Sequence, residues 1–97
     1  MDDKTVLLTI VEAGVTQLKD WAKLPDVEYE DFVGGTRPED RRLFKLMDDK
    51  EEICRYVLCD TGRWQINFSN PEWWFDASDL IALASIVNLL QGYTDGE

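Results

Sequence analysis

Three stretches in the middle of the chain have the pattern of apolar and polar residues that is typical of β-strands. They span residues 43 to 48, 53 to 60 and 63 to 69. In the third stretch Trp64, Ile66 and Phe68 alternate with polar neighbours, so it is the clearest of the three. Short polar segments at 49 to 51 and 60 to 62 are typical of turns. We therefore predict a three-stranded antiparallel meander.

The second of these turns contains Asp60-Thr61-Gly62. Gly62 suits the left-handed backbone conformation that closes a short hairpin loop. The tripeptide resembles the active-site signature of retroviral aspartic proteases, in which two chains each contribute one carboxylate. Here Arg63 stands where that family has Ala or Ser, and a predicted helix replaces the family's second signature near the C-terminus. We interpret the tripeptide as a turn and not as a catalytic site.

A segment before the meander spaces its apolar residues as an amphipathic helix does. Residues 5 to 24 carry one apolar stripe, made of Leu7, Ile10, Val11, Gly14, Leu18, Trp21 and Ala22. The β-branched residues between 5 and 11 leave a strand as the competing interpretation. Residues 26 to 33 contain four acids and no base, and they fit either a short edge strand or an extended loop.

The C-terminal segment predicts a second, largely apolar helix over residues 77 to 91. Asp76 is a candidate N-cap, and Gly92 is a candidate end of the helix. Positions 80 to 91 carry no charge, so this helix is either buried on most sides or covered by a partner. Residues 72 to 75 precede it as a short fourth strand or as a loop. The predicted fold is α+β, with an N-terminal helix, a three- or four-stranded antiparallel meander, and an apolar C-terminal helix packed on one face of the sheet.

Length and charge narrow the classes of protein that fit. The chain has 97 residues, with 20 acidic and 10 basic side chains, a formal charge of −10 and 44% hydrophobic residues. This length predicts a single compact acidic domain over residues 1 to 97. The apolar content, with 4 Trp, 3 Tyr and 4 Phe, excludes a disordered acidic tail. Because phosphate binding requires clustered Lys and Arg, the charge also disfavours nucleic acid as a direct ligand.

Several side chains that enzymes commonly use for catalysis are missing from the chain. Histidine is absent, which removes the most frequent general base and the most frequent ligand of transition metals. We therefore expect a protein that is not an enzyme and that uses no cofactor and no metal. Cys54 and Cys59 lie an odd number of residues apart in one predicted strand, so they point to opposite faces and stay free thiols. An acidic N-terminus and the lack of a long apolar run predict a cytoplasmic location, in a host cell if the protein is phage-encoded, with no membrane partner.

The charges are unevenly placed, and aromatic residues lie among them. Acids concentrate in residues 26 to 31, in residues 48 to 52 and after Trp64, whereas a local basic island contains Arg37, Arg41, Arg42 and Lys45. Because Trp73-Trp74-Phe75 cannot all face one side of a strand, at least one of the two tryptophans is predicted to point away from the core, unless a bulge lets both pack inside. An exposed tryptophan among acids is typical of an interface hot spot. The candidate partner-binding residues are Asp26, Glu28, Glu30, Asp31, Asp48, Asp49, Glu51, Glu52, Glu72, Trp73, Trp74 and Asp76.

These features favour a small acidic inhibitor that binds the basic surface of a nucleic-acid-handling protein. Its carboxylates would take the positions of phosphates, as in nucleic-acid mimics, phage-encoded anti-defence and anti-CRISPR proteins, and immunity proteins for nuclease toxins. The resemblance to those classes is one of size, charge and aromatic content. The alternative function is a structural or assembly subunit, a homodimer in which the C-terminal helix and Trp73 and Trp74 pack against a second copy.

Overall fold

A four-stranded sheet covered by two helices makes up the fold. The computed structural model describes residues 3–19, 23–31, 40–59, 61–68 and 74–96. Its elements in chain order are α1 (Asp3–Val15), β1 (Asp26–Asp31), β2 (Asp40–Asp48), β3 (Glu51–Cys59), β4 (Trp64–Phe68) and α2 (Ala77–Asp95). The strands form one antiparallel sheet in the order β1-β2-β3-β4, and both helices share one apolar core with it. The predicted α+β fold is confirmed, and the fourth strand is β1.

The helix interpretation of the N-terminal segment is confirmed, but α1 ends at Val15 and not near residue 24. The hydroxyl of Thr16 donates to the carbonyl of Ala13 over 2.6 Å. A side chain that occupies a helix carbonyl in this way competes with the backbone hydrogen bonds that would continue the helix. The backbone turns instead, with the amide of Leu18 donating to the carbonyl of Val15 over 3.0 Å. Leu18 is buried, so it reaches the core from beyond the end of the helix.

A β-bulge at Ile53 changes which side chains of β3 face inward. Leu46 lies opposite Cys54, but Met47 lies opposite Glu52, so Ile53 is an extra residue between two paired positions. Ile53 and Cys54 are both buried, although strict alternation would place only one of them inside. Strict alternation of inward and outward side chains therefore does not describe this part of the strand.

The β2–β3 turn and the β3–β4 turn each contain a residue with a left-handed backbone. Gly62 has a φ of 85° and Asp49 has a φ of 58°. The amide of Gly62 donates to the carbonyl of Cys59 over 3.0 Å, between β3 and β4. The predicted role of Gly62 in a hairpin turn is therefore confirmed.

The two helices run antiparallel and touch closely. At the start of α2, the Asp76 side chain accepts a hydrogen bond from the amide of Asp79 over 2.9 Å, which confirms Asp76 as the N-cap. The buried Asp79 carboxylate in turn accepts a hydrogen bond of 3.1 Å from the amide of Lys19, just beyond α1. Gly14 of α1 lies against Ile86 of α2, where a Cβ on the glycine would sit 2.3 Å from Cγ1 of the isoleucine. The absence of a side chain at Gly14 is what allows the helices to approach here.

The predicted end of α2 at Gly92 is wrong, because the helix continues to Asp95 and Gly96 caps it. The indole Nε1 of Trp64 in β4 donates to the hydroxyl of Thr94 over 2.8 Å. This tertiary contact stabilises the extra turn and offsets the unfavourable helix propensity of glycine, which is about 1 kcal/mol relative to alanine.

Some predicted positions lie outside the described residues, and they are Trp21, Ala22, Phe32, Val33, Arg37, Asp60, Ser69, Glu72 and Trp73. For Asp31 and Arg41 the structure describes the backbone only. Trp74 and Phe75, considered above as part of a possible fourth strand, do not form one.

Candidate protein-binding site

The antiparallel register brings two acidic segments together at one end of the sheet. Asp26 begins β1 and lies opposite Met47, next to Asp48 at the end of β2. Across the β2–β3 turn, Asp48 lies opposite Glu51 and Met47 lies opposite Glu52. These segments are distant in the sequence, and the strand pairing joins them. We call this surface the acidic end, and it consists of Asp26, Asp48, Asp49, Glu51 and Glu52.

Ion pairs neutralise part of the predicted acidic surface. The Glu30 carboxylate lies 3.0 Å from the Nζ of Lys45, which also stands opposite Glu28 in the register. The Arg55 guanidinium binds the Glu52 carboxylate through two hydrogen bonds of 2.7 and 3.0 Å. Lys45, predicted as part of a separate basic island, therefore lies among the acids. The pairing of β1 with β2 is the reason, because it places neighbouring blocks of opposite charge face to face.

The carboxylates nearest the β2–β3 turn are not neutralised by ion pairs with other described residues. Within the ranges that the structure describes, Asp26, Asp48, Asp49 and Glu51 form no ion pair. All but the half-buried Asp48 are exposed. The single positive charge of Lys50, in the turn itself, does not balance the negative charges of these carboxylates. The potential at this end of the domain is therefore negative.

Trp74 projects into solvent at the same end of the domain. Its side chain is 91% exposed, which confirms that at least one of the two tryptophans points away from the core. The next residue, Phe75, packs on the core, and its ring centroid lies 5.4 Å from that of Phe68. Phe68 stands opposite Cys54, two positions along β3 from Glu52. Through Phe75, Trp74 therefore lies near the end of β4 that is on the side of the β2–β3 turn.

The other candidate residues have different surroundings. The carboxylate of Asp76 accepts hydrogen bonds from the first turn of α2, so it serves as a helix cap. Glu28 is exposed on the sheet face that points away from the helices, since its neighbours along β1 pack toward the core. Glu72 and Trp73 lie outside the described residues, and so does the side chain of Asp31.

The two cysteines are free thiols, as predicted, and Cys54 is held in its neutral form. Burial raises the pKa of the Cys54 thiol to about 12, against a smaller lowering by a hydrogen bond with Tyr56. Burial is also the main cause that raises the pKa of the Tyr56 hydroxyl, and the nearby Cys54 raises it further. The Tyr56 hydroxyl donates a hydrogen bond to the carbonyl of Leu83 over 3.0 Å. A thiol that stays protonated is a poor nucleophile, so Cys54 is a core residue and not a reactive one.

Two further properties concern only the described part of the chain. No three of its Asp, Glu or Cys side chains are arranged to hold a metal ion. Neither α1 nor α2 is long and apolar enough to span a membrane.

The two helices together form another exposed surface. The sequence indicated the part that α2 contributes but not the part that α1 contributes. A groove of about 420 Å³ runs between them and is lined by Ile81 and Leu89 of α2 and by Ala13 of α1, among others. The lack of charge at positions 80 to 91 pointed to α2 as a surface that a partner covers. No comparable signal pointed to α1, because the pattern recognised there describes its buried side.

Comparisons with protein-family models, with curated proteins and with solved structures found no match to this chain.

Proposed function

We propose that this protein is a small acidic inhibitor that binds the basic surface of a nucleic-acid-handling protein. Its contact surface is the acidic end together with Trp74. The observation that carries this proposal is the exposure of Trp74 at the same end of the sheet as carboxylates that form no ion pair among the described residues. The inhibitor acts by occupying the partner's surface, so that nucleic acid is kept away from it without any catalytic step.

Trp74 provides the apolar part of the contact. An aromatic side chain of this size buries about 200 Å² when it enters a pocket, which at about 25 cal/mol per Å² contributes up to roughly 5 kcal/mol before entropy losses. Tryptophan is also among the residues most enriched at interface hot spots. A single exposed tryptophan can thus supply a large share of the apolar contact in a complex whose remaining contacts are polar.

The carboxylates provide the charge that selects a basic partner. Asp26, Glu28 and Glu30 occupy alternate positions of β1, so their side chains leave the same face at intervals of about 7 Å. A regular row of negative charges is also what a nucleic-acid backbone offers to a basic surface. Lys45 weakens this row at Glu30, so the strongest attraction is expected near the β2–β3 turn. Such charges act mainly on the rate of association and on the choice of partner.

Affinity capture from the source cell tests this proposal. Wild-type protein, Trp74→Ala, and the triple variant Asp48→Asn/Asp49→Asn/Glu51→Gln are immobilised separately, and retained proteins are identified and quantified. We expect the wild type to retain a basic nucleic-acid-binding protein that short duplex DNA displaces. Each variant should retain about tenfold less of it, which corresponds to about 1.4 kcal/mol of binding free energy.

A pair of single substitutions controls for the change in net charge. Asp49→Asn removes one charge at the acidic end and suits the left-handed backbone there, since asparagine tolerates that conformation. Asp95→Asn removes one charge at the opposite end of α2. Only Asp49→Asn should weaken capture. Equal retention by all variants, or retention that DNA does not displace, would rule out the proposed contact surface.

A further inference from the structure

The outer side of the helix pair is almost free of charge, on a chain whose net charge is −10. We call this surface the helix face, and it consists of Ala13, Gln17, Ser78, Ile81, Ser85 and Leu89. All six side chains are exposed. Among the described residues that line the groove, Lys19 alone is charged. Depletion of charge is the feature that distinguishes the centre of a protein interface from the rest of a surface.

The helix face also has a distinctive shape. Ile81 and Leu89 project from it, with 67% and 56% of their surfaces exposed. Beside them the groove of about 420 Å³ runs between the helices, with Gly14 and Ser85 among the small residues that line it. The same patch therefore carries both a ridge and a groove. A two-fold symmetric interface needs this combination, because each copy must offer the feature that the other copy fills.

We infer that a second copy of this chain docks on the helix face and forms a two-fold symmetric dimer. In this dimer the ridge of each copy enters the groove of the other, and the two helix pairs pack against each other. The charge of the chain selects this arrangement, because two copies that met through the acidic end would repel each other. Docking through the helix face keeps the carboxylates of the acidic end out of the contact, because no acidic residue is among the described residues that line the groove.

The outer side of the whole helix pair, with the helix face at its centre, is just large enough for such a contact. Helices of 13 and 19 residues, side by side, present about 480 Å² in projection at a rise of about 1.5 Å per residue and a width of about 10 Å. Two copies that pack along the full length of both helices therefore bury at most about 960 Å² in total, which is close to the lower limit for a specific interface. We expect a dimer that forms at micromolar concentrations.

Sedimentation equilibrium on the full chain tests this inference with a matched pair of variants. Leu89→Glu places a carboxylate in the helix face and keeps a good helix former in α2. Leu24→Glu makes the same substitution at a leucine that is 44% exposed and lies off the helix face. Wild type and Leu24→Glu should sediment at twice the 11.2 kDa of the chain, and Leu89→Glu should sediment as a monomer with unchanged circular dichroism. If Leu89→Glu lowers the helical signal, Ile81→Glu replaces it with the same expectation.

Three outcomes would overturn the dimer. They are a monomeric wild type at about 100 μM, a dimer that survives both charged substitutions, and a dissociation constant that rises as salt is increased. The inference predicts the opposite salt response, because added ions screen the repulsion between the two copies. A monomer that binds the apolar dye 8-anilinonaphthalene-1-sulfonate, with loss of binding in Leu89→Glu, would indicate a groove for a small ligand instead.

The dimer and the proposed inhibitor function can fail independently. Trp74→Ala should leave the dimer mass unchanged, because Trp74 is not part of the helix face. Loss of partner capture with an intact dimer would support separate surfaces for the two interactions. A change in dimer mass in Trp74→Ala would contradict the placement of the interface on the helix face.

Discussion

Gly14 is the position at which the packing of the two helices can be tested most directly. A methyl group on Gly14 would lie 2.3 Å from Cγ1 and 2.8 Å from Cδ1 of Ile86, whose side chain is fully buried. Cγ1 is bonded directly to the Cβ of Ile86, and a branched side chain in a helix has one strongly preferred rotamer. The overlap cannot be relieved by a flexible chain end, so α1 and α2 must move apart or distort.

Two opposing contributions set the size of the effect of Gly14→Ala. Alanine is more favourable than glycine in a helix by about 1 kcal/mol. Overpacking a buried contact costs about 1–3 kcal/mol, and this overlap lies in the upper part of that range. We therefore expect Gly14→Ala to lower the free energy of unfolding by about 1–2 kcal/mol.

Gly14→Ala is expected to have the opposite effect on the free energy of unfolding once Ile86 is shortened. Ile86→Ala alone should cost about 2–5 kcal/mol, because it removes buried atoms and leaves a cavity. In that background the methyl group at position 14 enters vacated space, so Gly14→Ala should raise the free energy of unfolding by about 1 kcal/mol. The coupling between the two substitutions is then about 2–3 kcal/mol.

Urea unfolding of the four proteins, followed by tryptophan fluorescence and circular dichroism, measures this cycle. A change of 1–2 kcal/mol shifts the midpoint by about 1 M for a domain of this size. All four curves are recorded at the same protein concentration, because dimer formation would otherwise shift the midpoints. If Gly14→Ala stabilised the protein by about 1 kcal/mol in both backgrounds, helix propensity alone would account for it and the close approach would be refuted.

Three further predictions follow from single groups. Above pH 9 the free energy of unfolding should fall by about 1.4 kcal/mol per pH unit. The reason is that burial raises the pKa of folded Cys54 from 9.0 to about 12, so the unfolded chain releases this proton first. In urea titrations at several pH values, Cys54→Ala should remove this dependence on pH below pH 10, and an unchanged slope would mean that another group causes it. Asp79→Ala should lower the free energy of unfolding in urea by about 2 kcal/mol, since it leaves the amide of Lys19 without an acceptor. If the free energy of unfolding fell by less than about 0.5 kcal/mol, this hydrogen bond would contribute little to stability. Asp49→Gly should stabilise by up to about 1 kcal/mol, because its φ of 58° is costly for a residue with a side chain; a lower melting temperature would contradict this explanation.

Features that depend on a few neighbouring residues could be predicted from the sequence. Alternation around Trp64 and Ile66 located β4, and Asp76 three residues before Asp79 located the start of α2. Gly62 marked a turn, because few other residues adopt its backbone conformation. These signals are local, since hydrogen-bonding groups and steric limits within one turn or one strand determine them.

Tertiary contacts determine the structure at the positions where the local sequence signals give a wrong prediction. The sequence predicts that α2 stops at Gly92, but the hydrogen bond between Trp64 and Thr94 holds a further turn in place. The sequence predicts a strand over residues 53 to 60 without a bulge, but pairing with β2 leaves Ile53 as an extra residue. Neither result is visible in the sequence, because the stabilising partner lies on another element of the fold.

The charge of the chain shows the same division. Composition by itself determined that the protein is strongly acidic, and the consecutive tryptophans indicated that one of them is exposed. Strand register decided which acids stay unpaired: it placed Lys45 beside Glu30, and it joined Asp26 to the β2–β3 turn. Net charge is a sum over residues, whereas an electrostatic surface depends on distances between them, and only the paired strands set those distances.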